Sequence, residues 1–318
     1  MSAESHPLSG NRNIIDFASE CFPDALRNIS LPPEKLYCVG DPAALEEGLA
    51  VVGARNATPY GIGCTQRFTR MASLRGVTII SGGARGCDSA AHRAALEARG
   101  RTAVFMGGGC DYIYPARNKA LFQQIIDAGG AVVSEYDWAQ PPMPFMFRAR
   151  NRLIAGLARA TLIVEAGMPS GTFSTADEAL SAGKEVWAVP GAITSEKSAG
   201  ANHLVAQGAT PIINDDSFLE ALFEVFGCMR SDDDRGRETA QCPALDKLDE
   251  RTRPVIEALA AQPMSLEEIH VLASRLLGGM ECEGRRKLVM TALAQAETLG
   301  ILVRYPNGKL GMGVPQAR

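Results

Sequence analysis

Short β-branched runs alternate with amphipathic segments through most of the chain. Apolar runs at 49–52, 77–80, 102–106, 131–134, 161–165, 185–189 and 210–213 have the length and composition of strands. Between them, 60–74, 89–98, 118–127, 150–158 and 172–182 carry apolar residues at three- and four-residue spacing. This alternation predicts an α/β fold: an extended Rossmann-like, doubly wound, mostly parallel sheet with helices on both faces. Residues 20–47 read as a lead-in, with a possible extra strand at 36–39.

The pattern changes after residue 226. The segment 227–243, GCMRSDDDRGRETAQCP, is polar, charged and without apolar periodicity, so it reads as a linker. Beyond it, 253–261, 265–274 and 283–299 have helical spacing. Ser265 followed by Glu268 forms a capping-box start for the second of these. A strand at 301–304, the turn Pro306–Asn307–Gly308 and a strand at 309–311 then close the chain. Three helices followed by a hairpin is the winged-helix order. The expected organisation is therefore a lead-in plus Rossmann-like domain over 1–226, a linker over 227–243 and a small winged-helix-like domain over 244–318.

Composition narrows the function classes. The 318 residues are 46% hydrophobic and 21% charged, enough apolar material for a sizeable core. The formal net charge is −4, so a nucleic-acid site must be a local basic patch in a mildly acidic protein. Eight cysteines are scattered singly, none in C-x-x-C and none near a His at metal-ligand spacing. They read as buried reduced thiols, and neither a metal nor another cofactor is expected. The polar start MSAESHPLSGNRN lacks the apolar core of a secretory signal, and no apolar stretch is long enough to span a bilayer. A cytoplasmic location with no membrane partner follows as the expectation.

The candidate chemistry lies where the glycines fall. Strand after strand runs into a Gly-containing loop: Gly53, then Ser81–Gly82–Gly83 with Gly86 close behind, then Gly107–Gly109, Ser170–Gly171–Thr172 and Gly191. Parallel strands all end on one edge of a sheet, so these loops converge on one rim. Glycine lets backbone N–H groups approach a ligand, and helices starting there add their positive ends. Such a rim can receive phosphate, although each glycine alone can equally serve a tight turn. Side chains point the same way. Arg55 follows the first loop, and Arg85 sits within SGGARG. Arg148, Arg150, Arg152 and Arg159 occupy a stretch from Asp137 to Glu165 with no acidic residue between, and Phe145 and Phe147 interleave with them. Guanidinium forks suit phosphate oxygens and aromatic rings suit base stacking. Asp88 and His92, one helical turn apart, read either as a base with its orienter or as a cap with a locally bonded partner. Glu165, ending a strand at the rim, is open to both roles.

Ordered motifs carry a resemblance. The runs VVGARNATPYG (51–61), SGGARGCDSAAH (81–92) and GGGCDYIYPARN (107–118) are followed by FRARNRLIAGLA (147–158), EAGMPSGTFSTADEAL (165–180) and PGAITSEKSAGANHLVAQGA (190–209). In order and spacing they resemble the DprA/Smf family of DNA-processing proteins. The resemblance implies a Rossmann-like domain that binds single-stranded DNA without sequence preference. It also implies homodimerisation and delivery of the strand to the RecA recombinase in transformation. By motif position it places Arg55, Arg85, Phe147, Arg150, Asn151 and Arg152, with the loops at Gly53, Gly82–Gly83 and Ser170–Gly171–Thr172, at the DNA pocket; the expected DNA contacts further include Ser81, Gly86, Asn118, Arg148 and Asn202, with no catalytic residue.

Departures from the family pattern are Ala54 for the usual Ser, Cys87 for a hydrophobic residue, and Arg148–Ala149 after Phe147 where Pro and a basic or polar residue are usual. The residues before the match are too few for the helix-hairpin-helix-like domain that many members carry. The competing reading is a nucleotide-binding protein or a LOG-like nucleoside-monophosphate phosphoribohydrolase using the same pocket. Against hydrolysis, Thr175 stands where that family's loop has its Glu.

Overall fold

The strands are apolar on both sides, and this dictates the layering. In the computed structural model every residue of β3 (Gly48–Val52), β5 (Thr102–Phe105) and β6 (Ala131–Ser134) is buried, as expected of strands covered by helices on two faces. Residues 7–168, 171–227, 249, 251–261, 264–277, 282–299, 302–304 and 310–312 are described. They fall in two compact units, residues 1–229 and 230–318.

The first unit holds a nine-stranded sheet in the order β1-β2-β6-β5-β4-β3-β7-β8-β9. The remaining strands are β1 (Arg12–Asp16), β2 (Lys35–Gly40), β4 (Ile79–Ser81), β7 (Ala158–Ile163), β8 (Glu185–Ala188) and β9 (Thr210–Pro211). From β6 to β9 every pairing is parallel. The lead-in adds an antiparallel margin: β2 pairs β6 with Tyr37 opposite Ser134, and β1 pairs β2 with Arg12 opposite Val39. The chain therefore winds one way from β3 to β6, crosses back, and winds the other way from β7 to β9.

Alternation along each strand divides the core in two. Ala50 and Val52 face one cluster with Leu153, Ile154 and Leu157 of α5 (Pro144–Leu157) and Ala176 of α6 (Gly171–Ser181). Leu26 of α1 (Asp24–Arg27) and Leu204 of α7 (Ala199–Ala206) join them. Leu49 and Val51 face the other cluster, against Phe68 of α2 (Pro59–Ser73), Ala91 of α3 (Cys87–Glu97) and Phe218 of α8 (Asp215–Phe226). Phe122 and Ile125 of α4 (Lys119–Asp127) extend that side over β5 and β6.

The predicted parallel sheet is present, with margins and one helix start that differ from the expectation. The extra strand is longer than 36–39 and has a partner, β1. Helix α5 begins at Pro144 rather than 150, because Pro is preorganised for the first helical position. Cys38, Cys87 and Cys110 are buried thiols as expected, but Cys21 is exposed. No described helix is long and apolar enough to cross a membrane.

Among the described residues the second unit has three helices, α9 (Arg253–Ala261), α10 (Leu266–Leu276) and α11 (Cys282–Thr298), then the antiparallel pair β10 (Leu302–Arg304) and β11 (Leu310–Met312). Ile256, Ile269, Leu293, Leu302 and Leu310 share its core. The capping box at Ser265 is formed: its hydroxyl accepts the Glu268 N–H, and the Glu268 carboxylate accepts the Ser265 N–H at 2.7 Å. The expected linker beyond Gly227 and the turn 306–308 lie outside the described residues.

Candidate nucleic-acid interface

Strand order reverses between β3 and β7, and a crevice opens at the carboxyl ends of those strands, where doubly wound sheets bind ligands. Its volume is about 450 Å³. Four segments line it: Val52–Arg55 after β3, Ala84 and Asp88 around the start of α3, one face of α5, and Gly171, Thr172, Ser174 and Thr175 at the start of α6. The α5 face supplies Phe147, Arg148, Arg150 and Asn151.

The floor is bound into the fold. On α5, Met146, Leu153, Ile154 and Leu157 mark the buried stripe at helical spacing, and Arg150 occupies a position on that stripe. It is 5% exposed. Its Nη1 donates to the Gly82 carbonyl at 2.6 Å and to the Phe105 carbonyl, joining the ends of β4 and β5. Burial brings its pKa down to about 10, opposed by the charge of Asp88. Arg150 remains cationic at neutral pH. Asp88 accepts the Ala84 N–H at 3.2 Å, and burial raises its pKa against the opposing charges of Arg150 and Arg55. Asp88 is thus a member of the crevice wall. The N-cap of α3 is Gly86, whose φ of +75° excludes other residues and whose missing Cβ admits the Ala54 and Arg55 carbonyls.

Glu165 serves the scaffold. Its carboxylate accepts the Thr58 N–H at 2.8 Å and the Thr58 hydroxyl, holding the first turn of α2 against β7. His92 is buried behind the floor. Thr102 donates its hydroxyl to Ile79, so the 2.7 Å contact to His92 is donated by Nδ1–H, leaving Nε2 as a buried acceptor without a partner among the described residues. Burial lowers the His92 pKa to about 3, so it is neutral at physiological pH.

The lip is different. Arg55 and Arg148 are exposed and line the crevice, and Arg85 is exposed on the loop after β4. The Arg55 guanidinium lies 5.6 Å from the centroid of the Phe147 ring, within cation–π range. That ring rests on Gly107, where a Cβ would come within 2.5 Å, and tilts against Tyr114 at 5.3 Å between centroids. Asn151 reaches across to α6, donating to Ser174 Oγ at 2.7 Å.

Several motif residues lie elsewhere. Arg152 is turned away and doubly paired with Glu135, both contacts at 2.7 Å. Ser81 donates to the Val51 carbonyl at 2.6 Å inside the sheet. Gly82 and Gly83 pack against Arg150 and Phe122 and do not line the crevice. Asn118 braces the loop after β4 by donating to the Gly83 carbonyl at 2.8 Å, and Asn202 exchanges hydrogen bonds with the Gly191 backbone. Arg159 stacks near Phe226 at 5.4 Å, and Ser170 lies outside the described residues. Asp88, Tyr114 and Ser174 were not among the expected contacts. Only Asp88 had a sequence signal, its place in the helix after a glycine loop.

A model of the family described as DNA recombination-mediator protein A matches residues 13–223. The chain is 39% identical over 213 residues to protein Smf of Escherichia coli, covering 67% of this chain and 57% of that protein. It is 37% identical over 291 residues to a putative DNA processing protein DprA of Mycobacterium tuberculosis, covering 86% and 73%. Among solved structures, DprA of Streptococcus pneumoniae is 36% identical with a TM-score of 0.61, covering 66% of this chain and 74% of that one. DNA processing protein A of Helicobacter pylori, a structure described for its single-stranded DNA binding mode, is 32% identical with a TM-score of 0.62, covering 69% and 99%.

Proposed function

The chain belongs to the DNA recombination-mediator protein A family, and on that premise we propose that its crevice binds single-stranded DNA without sequence preference. The observation that carries the reading is the lip: two exposed arginines, Arg55 and Arg148, line the crevice together with the Phe147 ring at the topological switch point, Arg55 within cation–π range of the ring. Arginine forks take backbone phosphates, and a partly exposed ring beside them takes the face of any base. A base seated on Phe147 would lie above the Asp88–Arg150 floor, with the N-terminus of α6 facing its phosphate. The single-stranded DNA binding described for the Helicobacter pylori relative supports the same occupant.

The reading is of a binding protein rather than a hydrolase. Thr175 is buried at the start of α6 where a phosphoribohydrolase loop would present a carboxylate, and Glu165 spends both oxygens on Thr58. By family analogy the chain acts in the cytoplasm as a homodimer that protects incoming DNA and passes it to the RecA recombinase in transformation and recombination. The second unit is read as an accessory winged helix: a DNA-reading member would carry a strongly basic third helix, whereas α11 carries Glu283 and Glu297 beside Arg285, Arg286 and Lys287.

The test is fluorescence anisotropy with labelled oligo(dT), the duplex of the same length, and nucleoside monophosphates. Single strands should bind in preference to duplex, and affinity should fall with salt as counterions are released. Salt-independent binding, or steady release of free base from nucleoside monophosphates, would overturn the reading.

A further inference from the structure

A second hollow opens on the same rim, on the far side of the loop after β4. Its volume is about 440 Å³, and its walls include Gln66 of α2, Gly86, Ser89 and Arg93 at the start and middle of α3, and Arg117 and Asn118 of a 3₁₀ turn before α4. Among the described residues no carboxylate lines it. Arg93 and Arg117 are exposed, and neither has an ion-pair partner among the described residues.

The hollow is held in shape rather than collapsed. Asn118 is 2% exposed; its amide donates to the Gly83 carbonyl and, at 2.9 Å, to Ser89 Oγ, while the Ser89 hydroxyl donates on to the Ala84 carbonyl. These bonds brace the wall shared with the crevice, since Ala84 lines one hollow and Gly86 the other. Gly86 in turn lies beneath the Ala54 and Arg55 carbonyls. Arg85 stands exposed on the loop between the two hollows. Cations are thus set in series along one rim: Arg148 and Arg55 at the crevice, Arg85 on the divide, Arg93 and Arg117 beyond it. Two unpaired guanidinium groups over a rigid, carboxylate-free hollow suit phosphate oxygens.

We propose that the Arg93–Arg117 groove is a second phosphate-binding subsite, which takes the backbone of the same DNA single strand after it leaves the crevice over Arg85. The proposal rests on the crevice reading above. It makes binding length-dependent: a strand that fills only the crevice ignores the groove, and a longer one uses both.

The experiment uses the full chain and two labelled oligo(dT) strands of about 6 and about 20 nucleotides, one near the lower end of the usual single-strand site size and one beyond its upper end. In the Arg93→Ala/Arg117→Ala double variant, affinity for the long strand should fall about tenfold, and its log–log salt slope should shrink by about 1.4, two contacts at about 0.7 each. Affinity for the short strand should stay within about twofold. Arg55→Ala should weaken both strands. In a second variant that keeps both arginines, Gln66→Lys, only the long strand should bind more tightly. The subsite is refuted if the double variant holds the long strand as tightly as the parent, or if it loses both strands equally. If the parent binds neither strand, the crevice reading itself fails and the subsite goes with it.

Discussion

The floor and the lip of the crevice are built from the same residue types, two positions apart on one helix, and are committed to different tasks. Arg150 on the floor is buried and donates to two main-chain carbonyls, joining β4 to β5 through α5. Arg148 on the lip is exposed, as are Arg55 and Arg85. Arg152, one turn further round, is committed to Glu135. A motif rich in arginine therefore does not offer its whole charge to a ligand. What remains for phosphate is the part not already taken by carbonyls and carboxylates: the helical period of α5 puts Arg150 on the buried stripe, and the partner Glu135 takes Arg152.

The contrast is open to direct attack, and the largest effect should come from the floor. Arg150→Ala strands two buried carbonyls and removes the charge facing Asp88, so urea unfolding should show a loss of about 3 kcal/mol or more. If the melt is unchanged and only DNA binding suffers, the floor is not structural and the distinction collapses.

The next effect is on the lip. Arg55→Ala/Arg148→Ala should lower single-strand affinity by about 30-fold, roughly 2 kcal/mol, with the thermal midpoint within a degree or two of the parent. A variant that melts early would show that the lip, too, holds the fold.

A third effect, of similar size, separates the floor by pH. His92 is buried neutral with its pKa lowered to about 3, whereas an unfolded histidine titrates near 6.5. Between those values the unfolded chain binds a proton that the folded chain refuses, so stability falls as the pH drops from 6.5 toward 3. At pH 5 the loss is about 2 kcal/mol relative to neutral pH, and in His92→Gln the difference between the two pH values should shrink by about that amount. Equal pH dependence in parent and variant would mean that the buried ring does accept its proton.

The smallest effect should come from removing the second unit. A chain ending at Gly227 should keep its oligo(dT) affinity within about tenfold, or 1.4 kcal/mol, and the fragment 244–318 should bind weakly by anisotropy. Loss of binding in the truncated chain with retention in the fragment would move the DNA site off the crevice altogether.

How much of this was legible beforehand depends on the kind of signal. The apolar runs at 49–52, 102–106 and 131–134 became central strands because a stretch buried on both faces is apolar along nearly its whole length, Thr102 and Ser134 at the ends apart, and that is written in composition alone. The convergence of Gly53, the loop after β4 and the start of α6 followed from parallel strands sharing one edge. The capping box at Ser265 is local and formed as read. The antiparallel margin β1–β2 was half seen, since β1 buries only one of its five residues and gains its identity from pairing with β2.

The division of labour within the site belongs to the tertiary structure. A run of Arg148, Arg150 and Arg152 reads as one basic patch until the packing partners are known. Glu135 lies just past β6, the Gly82 carbonyl just past β4 and the Phe105 carbonyl at the end of β5, and nothing local to α5 announces that they meet it. One clue was present: Met146, Leu153, Ile154 and Leu157 place Arg150 on the apolar stripe, and a cation there must find buried acceptors. Ser81, Gly82, Gly83, Asn118 and Asn202 stand in the motifs, yet their bonds and contacts go to backbone, to packing and, for Asn118, to Ser89 as well. Sequence alone determined which loops meet, because the direction of strands is a property of the chain's order. Which side chains in those loops stay free was decided only when the sheet closed, because hydrogen-bond partners distant in sequence claim their donors first.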